Sequence, residues 1–565
     1  MIVDISSTPF SRYGEFVSVG ISSDEQGQFL VIRNVRAMKD AGRLLGVKFL
    51  KNSAPAPFTI RAEPHVINIS SPEGTARLYI RSKDAVVIDS TGLDVELKML
   101  QAGISFPEGD ACFKFQVAGV HVAISTPAGT PVLRIDRIIH EDGVQRISHT
   151  SVTVGCVDGR ALLHLELQLQ ERPLQAIDPD RDIADAGAQW LAFRAKMPPV
   201  PPDRVPIAEL AWYTLWAAFV RPEGFIKYDA CLMSKATMCA LWSWDHCFNA
   251  LAIAHADPVL GLRQFLLPFE LQSDIGQLPD RWSSLVSTWT VNKPPIHGWC
   301  LSKLLKHFTA ESGSPPLSQE MLRKLYTHLE KWTGFWFTWR DTDADGIPNY
   351  VWGLDSGWDN STLFDPAFCP EAPDLTAFLI LQMDALAELA TLLDDSEAAS
   401  AWNTRADSLL AKLYDHSWKG DRFVAPISIT HAFDPAPTTL LALMPLALGK
   451  RLDPARCKSL IKYLGDDFLT DHGPATESPS SPLYLPDGYW RGPIWAPSTY
   501  LLVDGLARAG HGTLAKTIAL RFCNMVREAG GHYENYDALT GRGLCDQGYT
   551  WTASVHLLLL NEYLQ

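Results

Sequence analysis

The chain has 565 residues, and 64 acidic against 49 basic side chains give it a formal net charge of −15. This balance argues against a nucleic-acid or membrane-surface partner, because both attract proteins through basic side chains. The chain is 47% hydrophobic and 20% charged, which is typical of a globular protein and excludes extended disorder, and it contains no uninterrupted apolar run of about 18 residues that would span a bilayer.

The first 190 residues predict β-strands. Residues 75–89 are rich in Ile, Val, Leu and Tyr, and residues 163–169 alternate leucine with polar side chains, which indicates a half-buried strand. Shorter apolar runs, separated by Gly, Pro, Asp and Ser, lie at 16–21, 113–117, 120–125 and 132–135. Strands of this length and spacing predict an all-β sandwich over residues 1–190.

A proline-rich segment follows the predicted strands. The stretch MPPVPPDRVP at 197–206 has five prolines in ten residues, a composition that neither a helix interior nor a central strand tolerates. We therefore predict a stiff linker over residues 191–206 and a second domain over residues 207–565.

The second domain has the period of α-helices. In residues 376–393, Leu379, Met383 and Leu386 fall on one helical face, without Gly or Pro to interrupt it. Twelve helices are predicted to begin near residues 205, 244, 258, 296, 318, 375, 397, 437, 453, 495, 513 and 549. Twelve helices without a comparable series of strands predict a ring of helix pairs. The predicted fold is therefore multidomain, with an N-terminal all-β sandwich followed by an all-α (α/α)6 barrel.

The cysteines and the N-terminal residues indicate the cellular compartment. None of the ten cysteines forms a CxxC pair or a zinc-ligand spacing with histidine, and scattered cysteines suit a reducing environment. The first residues, MIVDISSTPF, lack the basic and apolar regions of a signal peptide. Both features predict a cytoplasmic protein.

All 18 tryptophans lie from Trp190 onward. Indole rings can present flat apolar faces to sugar rings, or they can fill a large helical core, and composition alone leaves both readings open. Tryptophan, Asp, Glu and Gly concentrate in four segments between the predicted helices, at 241–250, 341–361, 489–498 and 531–551. These segments are the candidate functional loops.

Two carboxyl groups in these loops fit glycosidic chemistry. Cleavage of a glycosidic bond needs one carboxylic acid to protonate the leaving oxygen and a second carboxylate on the opposite face of the sugar. Asp359 follows Gly357 and Trp358, an aromatic setting that suits an acid of raised pKa, and Glu534 lies beside Tyr533. A single loop carboxylate is more often a helix cap or a solvated turn, and spacing alone does not pair the two.

The same segments resemble clan G glycoside hydrolases, the group of trehalases and family 63 α-glucosidases that includes glucosylglycerate and mannosylglycerate hydrolases. Family 63 is the closer branch, because YWRGPIW and ENYDALTG read as its signature. The resemblance spans about 310 of the roughly 360 residues after the linker, in the order WSWDHCFNA at 242–250, DGIPNY at 345–350, DSGWDNS at 355–361, DLTAFLILQMDALAELATLL at 374–393, YWRGPIW at 489–495, YENYDALTG at 533–541 and YTWTA at 549–553.

The resemblance implies an (α/α)6 barrel and an inverting mechanism, with Asp359 as general acid and Glu534 as the general base that activates water. It also implies that Asp245 accepts hydrogen bonds from two sugar hydroxyls, with a cap on the next helix as the alternative. Arg491 either borders the same pocket or pairs with a buried carboxylate. The further side chains that would line the sugar site are Trp242, Trp244, Trp358, Trp495 and Trp551, the last with core packing as an equal alternative.

Lys293 departs from the family pattern. Family 63 usually has glutamine just before the Pro-Pro of the segment that here reads NKPP at 292–295. Glutamine donates and accepts hydrogen bonds, whereas lysine only donates and carries charge. Lys293 therefore pairs with an acidic aglycone or a sugar carboxylate, neutralises a catalytic carboxylate, or points outward.

The segment DTDADG at 341–346 places Asp341, Asp343 and Asp345 at the spacing that begins a calcium loop. Position twelve is Trp352 instead of glutamate, so the segment is no EF-hand. Either a distant carboxylate completes a structural calcium site, or the segment is an Asp-rich turn capped by its own side chains.

The sequence thus predicts a cytoplasmic inverting glycoside hydrolase that acts on a small α-linked glycoside or oligosaccharide and requires no cofactor for catalysis. Two rival functions are a sugar epimerase or isomerase on a helical ring and a non-catalytic carbohydrate-binding protein. The sugar, the linkage, the aglycone and the oligomeric state do not follow from the sequence.

Overall fold

The computed structural model describes residues 1–108, 112–117, 120–141, 145–170, 176–309, 312–313 and 316–565. Antiparallel sheets occupy the chain up to Gln168, and helices dominate from Pro179 onward. The predicted order of a β-sandwich followed by a helical barrel is therefore confirmed.

Two antiparallel eight-stranded sheets form the sandwich. One has the order β1-β2-β3-β4-β10-β15-β14, with β5 added to β4, and the other has the order β11-β12-β13-β16-β9-β8-β7-β6. Their strands are β1 Phe10–Ser11, β2 Val17–Asp24, β3 Gly27–Asn34, β4 Arg43–Lys51, β5 Ala54–Pro55, β6 Thr59–Glu63, β7 Val66–Ser71, β8 Gly74–Arg81, β9 Ala85–Thr91, β10 Asp94–Met99, β11 Ile104–Pro107, β12 Cys112–Val117, β13 Val120–Ala128, β14 Thr130–Glu141, β15 Gln145–Gly155 and β16 Arg160–Gln168.

The structure refines two strand predictions. The apolar stretch 75–89 is a hairpin of β8 and β9, because Lys83 and Asp84 adopt positive φ angles of 63° and 60° and turn the chain. The alternating strand β16 is buried on both faces, with His164 only 2% exposed. Leu162 lies on the same face as His164 and packs near Ile183 of the following helix, so a helix covers the face that the alternation predicted to be solvated.

That helix, α1 (Pro179–Arg194), crosses the predicted domain boundary. Asp178 caps its first turn by accepting a hydrogen bond from the Arg181 amide at 3.2 Å, and a proline occupies the first position. Trp190 is buried against Tyr213 of the next helix. The stretch predicted as the end of the sandwich and the start of the linker is therefore helical up to residue 194.

The remaining helices begin within three residues of the twelve predicted starts. They are α2 Val205–Ala218, α3 Asp245–Ala254, α4 Pro258–Leu266, α5 His297–Leu305, α6 Gln319–Trp339, α8 Pro373–Leu392, α9 Ser396–Ser417, the 3-10 segment Leu440–Arg451, α10 Pro454–Tyr463, α11 Ala496–Arg508, α12 Gly512–Ala529 and α13 Thr550–Glu562, with one short additional helix, α7 Gly353–Ser356.

Six of these elements close into an inner ring. Contacts run from α3 to α5, α8, the segment Leu440–Arg451, α11 and α13, and return from α13 to α3. The other six predicted helices pack outside the ring, for example α4 against α3 and α9 against α8. This is the predicted (α/α)6 barrel. Its inner helix α8 is long and apolar enough to cross a membrane, but it is 78% buried within the barrel, as expected for a core helix.

Ion pairs join the sandwich to the barrel. Asp84, which is fully buried in the β8–β9 turn, accepts hydrogen bonds from Arg36 and from Arg221 of the barrel region at 2.7 Å each. The two guanidinium groups hold the pKa of Asp84 well below its usual range despite its burial. Loss of one partner would leave a buried charge uncompensated, so this contact fixes how the two regions meet.

Candidate active site

The predicted site residues lie at one end of the barrel, in the segments that lead into the inner helices. Asp245 is the first residue of α3, Lys293 precedes α5, and Asp359 lies between α7 and α8. Glu534 lies on a short strand, Tyr533–Tyr536, that leads towards α13. The closed ring brings these separate segments to a common centre.

Lys293 is the charged centre of the site. Its ammonium group lies 3.4 Å from Oδ1 of Asp280 and 3.7 Å from Oδ1 of Asp359, and it donates a hydrogen bond to the Leu354 carbonyl at 2.7 Å. Burial opposes its charge, but the carboxylates of Asp359, Asp280 and Asp245 outweigh burial and raise the pKa of Lys293. Lys293 therefore points inward and stays protonated.

Asp359 is the most open member of this cluster. Its side chain is 29% exposed, whereas that of Lys293 is 7% exposed. Burial raises the pKa of Asp359, and the Lys293 ammonium offsets part of that rise. The cluster thus opens towards solvent at a carboxyl group that tends to hold its proton.

Glu534 is buried, at 5% exposure. The Tyr489 hydroxyl donates to its Oε1 at 3.0 Å, and the Asp546 amide donates to its Oε2 at 3.3 Å. Burial raises the pKa of Glu534 to about 7, and the charges of Asp546 and Asp359 act in the same direction. The structure therefore brings the two predicted carboxyl groups into electrostatic reach of each other.

Asp245 does not cap helix α3. Trp244 occupies the capping position, and no side chain makes a capping hydrogen bond there. The Asp245 carboxyl is 3% exposed, and its Oδ1 has no hydrogen-bond partner among the described residues. Burial raises the pKa of Asp245 well above its usual range. A buried carboxyl oxygen without a protein partner suits a hydroxyl-rich ligand.

Aromatic rings surround the carboxyl groups. Trp358 packs on Trp490 with ring centroids 4.6 Å apart, and Trp490 stacks on Trp495 at 3.9 Å. Trp551 lies edge-on to both Trp244 and Trp495, at 5.9 and 5.4 Å. Trp495 is fully buried and supports its neighbours, so its predicted contact with substrate stays a prediction.

Trp242 and Arg491 lie at the edge of this site. Trp242 is 9% exposed and pairs with Arg281 across two short strands. Arg491 donates to the Asn360 carbonyl at 2.7 Å and forms an ion pair with Asp365, whose side chain is 43% exposed. Arg491 thus holds the loop that carries Asp359. Its ion-pair partner Asp365 is partly exposed, whereas the sequence analysis offered a buried carboxylate as the alternative.

Two site residues were missed by the sequence analysis. Asp280 lies outside the segments that carry the family resemblance, and only the fold brings it to Lys293. Tyr489 begins the YWRGPIW segment, but no pattern in the sequence indicates its hydrogen bond to Glu534. Its position two residues before Arg491 could have indicated that Tyr489 lies near the site, but not which residue it contacts.

The predicted calcium loop forms only part of a ligand cluster. Asp343 and Asp345 lie with Glu371 and His431 so that one ligand atom from each falls within 4.8 Å of the others. Asp341 lies outside this group and accepts a hydrogen bond from the Gly346 amide at 3.0 Å, as in an Asp-capped turn. Calcium binding at this loop stays a prediction.

Two carboxyl groups among tryptophan rings, at the end of an (α/α)6 barrel, are compatible with a glycoside hydrolase. A family model described as the mannosylglycerate hydrolase MGH1-like glycoside hydrolase domain matches residues 239–552. The chain belongs to this family, in agreement with the resemblance to family 63 and against the epimerase and the non-catalytic binding protein.

Named relatives are distant in sequence. Mannosylglycerate hydrolase MGH1 of Selaginella moellendorffii is 22% identical over 400 residues, which cover 56% of this chain and 80% of the relative. Mannosylglycerate hydrolase of Rubrobacter radiotolerans is 23% identical over 418 residues, which cover 57% of this chain and 90% of the relative. Glucosylglycerate hydrolase of Mycolicibacterium hassiacum is 22% identical over 408 residues, which cover 56% of this chain and 91% of the relative.

Solved structures share the fold. A bacterial glucoamylase complexed with acarbose aligns with a TM-score of 0.64 at 10% identity and covers 99% of this chain and 95% of its own. A GH63 mannosylglycerate hydrolase of Thermus thermophilus in complex with glucose aligns with a TM-score of 0.53 at 20% identity, covering 61% and 98%. The first likeness extends over the sandwich as well as the barrel.

Gly357 tests how tightly this site is packed. It has a φ of +72°, and a Cβ added to it would lie 2.6 Å from Cζ2 of Trp244. We expect Gly357→Ala to lower the free energy of unfolding by about 2–4 kcal/mol, from backbone strain and overpacking together, and to reduce hydrolysis.

Gly530 is the matched control, because it has the same φ of +72° with no atom within 4 Å of the added Cβ. Gly530→Ala should cost only the backbone strain, about 1–2 kcal/mol. Urea unfolding and initial rates on both variants measure the difference. An equal loss of unfolding free energy in the two variants would show that the close approach of Gly357 to Trp244 does not contribute to stability.

Proposed function

We propose that the chain is an inverting hydrolase of a small α-linked glycoside whose aglycone is glycerate, with Asp359 as general acid and Glu534 as general base. One observation carries the proposal: two carboxyl groups with raised pKa lie within electrostatic reach in a buried, aromatic-lined cluster. Relatives named for hydrolysis of mannosylglycerate and glucosylglycerate support the substrate class.

The proposed general acid must hold a proton until the glycosidic bond breaks. Burial raises the pKa of Asp359 above its usual range, which is the direction that a general acid needs. Its partial exposure lets the leaving-group oxygen approach the carboxyl group. Proton donation to that oxygen would release glycerate as an alcohol instead of an alkoxide.

The proposed general base must be ionised and must face a water molecule. Glu534 has a pKa of about 7 because of its burial, so it is largely ionised above neutral pH. Hydrogen bonds from Tyr489 and from the Asp546 amide orient its two oxygens. In an inverting enzyme the two carboxyl groups stand roughly 6.5–9.5 Å apart, which leaves room for the water that Glu534 would deprotonate.

The sugar would lie between these two groups. Asp245 offers a buried oxygen without a partner among the described residues, which suits two hydroxyl donors on adjacent sugar carbons. Trp358 and Trp551 contribute ring surface beside the carboxyl groups. This arrangement needs only acids, bases and apolar surface, so the proposed reaction requires no cofactor.

Lys293 was predicted to pair with an acidic substrate, to neutralise a catalytic carboxylate or to point outward, and its contacts support the second of these roles. The ammonium group is already shared by Asp280, Asp359 and the Leu354 carbonyl, which leaves it poorly placed to hold a glycerate carboxylate. We propose that Lys293 neutralises the acidic cluster and keeps the pKa of Asp359 from rising further.

Replacement of either carboxyl group should abolish most of the hydrolysis. We expect Asp359→Asn and Glu534→Gln each to lower kcat on mannosylglycerate or glucosylglycerate by about 10²–10⁴-fold while the circular dichroism spectrum stays unchanged. Glu528→Gln is the matched control, because Glu528 is exposed at the end of α12. Near-wild-type turnover by either site variant would refute the role given to that residue.

Lys293→Gln tests the proposed neutralising role through the pH profile. Removal of the ammonium should raise the pKa of Asp359, so a larger fraction of this acid keeps its proton at alkaline pH. We expect the ratio of kcat/KM at pH 8 to that at pH 6 to increase relative to the wild type. An unchanged profile accompanied by a changed preference between glycerate and neutral aglycones would instead assign Lys293 to the substrate.

A further inference from the structure

A cavity of about 250 Å³ lies between the sandwich and the barrel, and none of the carboxyl groups of the candidate active site is among its lining residues. One wall is the outer face of strands β2, β3 and β4, where Ser18 and Gly20 leave space beside Arg33 and Arg43. The opposite wall includes Lys235 and Gln547 of the barrel region. Its volume is below that of a typical drug-sized pocket, so it suits a compact ligand.

The two arginines are direct partners across strands β3 and β4. Like charges placed opposite each other in an antiparallel pair are destabilising. Arg33 donates one hydrogen bond to the Lys39 carbonyl, and Arg43 donates one to the Ser22 hydroxyl at 3.3 Å. Among the described residues neither forms an ion pair with a carboxylate, and the charges of Asp546 and Asp40 act on Arg33 only from a longer distance, against the repulsion from Arg43.

Lys235 is a third basic residue of the lining, although burial lowers its pKa to about 7. Lys235 is 2% exposed, and its ammonium donates to backbone carbonyls of Glu15 and Phe219 at 2.6 and 2.8 Å. Asp40 is the one acidic side chain that lines the cavity in the described part of the chain, against three basic ones. The cavity therefore carries an excess of positive charge in a chain whose net charge is −15.

We propose that this cavity binds a compact oxyanion, held between the guanidinium groups of Arg33 and Arg43. Each guanidinium offers a planar fork of N–H donors that matches the oxygens of a phosphate or a carboxylate. The bound anion would lie between two like charges and convert their repulsion into attraction. Phosphate monoesters and small hydroxy acids share this chemistry, and the proposal does not depend on the function proposed for the carboxyl cluster.

Binding is measured by calorimetry and by thermal unfolding of the full chain. The probes are inorganic phosphate and, separately, D-glycerate, each at constant ionic strength set with sodium chloride. We expect saturable binding of at least one anion to the wild type, with a rise in Tm. Arg43→Gln should weaken that binding by about 10- to 100-fold, as expected for loss of a charge-assisted contact.

The stability of the Arg43 variants separates an anion-binding role from a purely structural one. Because Arg43→Gln removes the repulsion with Arg33, we expect its Tm without anion to equal or exceed that of the wild type. Arg43→Lys should bind with intermediate affinity, since it keeps the charge and loses the planar fork. Arg181→Gln, which removes an exposed arginine of α1, should bind like the wild type.

Two results would overturn the proposal. One is the lack of saturable binding of either anion to the wild type. The other is binding with the same affinity in the wild type, Arg43→Gln and Arg181→Gln, which would place the anion elsewhere on the protein, including the carboxyl cluster in the case of glycerate.

Discussion

Three carboxyl groups surround one buried ammonium at the end of the barrel, and a fourth carboxyl group lies within electrostatic reach of them. The charge of Asp245 is affected by those of Asp280, Asp359 and Glu534, and Lys293 is the cation that offsets Asp245, Asp280 and Asp359. Buried like charges cannot all ionise, so their pKa values spread apart. The proposed division of labour, with one carboxyl group protonated and another ionised, needs such a spread.

The barrel makes the cluster possible. Its inner helices contact one another in a closed ring, so segments that are distant in sequence end at the same place. The ion pairs of Asp84 fix the sandwich beside this ring, and Met38 of the sandwich reaches Arg281, the residue after Asp280, with its sulfur 2.9 Å from the guanidinium. The sandwich thus lies next to the active site as well as forming one wall of the arginine cavity.

Much of the fold was predictable because the signals for helices are local. The starts of the barrel helices follow from the 3.6-residue period and from capping residues, and the structure places them within three residues of prediction. Helix α1 was missed because its surface is largely polar, and the burial of His164 in β16 depends on that helix. Asp359 and Glu534 could be named from their segments, but the ion pair of Asp280 with Lys293 is a tertiary contact without a local signal.

The stereochemistry of the first product tests the central claim most directly, because only a water molecule activated by Glu534 inverts the anomeric carbon in one step. Proton NMR during hydrolysis of an α-linked glycosyl glycerate reports the anomer before mutarotation. We expect the β-anomer to be released first. Release of the α-anomer first would show that a carboxylate attacks the sugar directly and would contradict the roles given to Asp359 and Glu534.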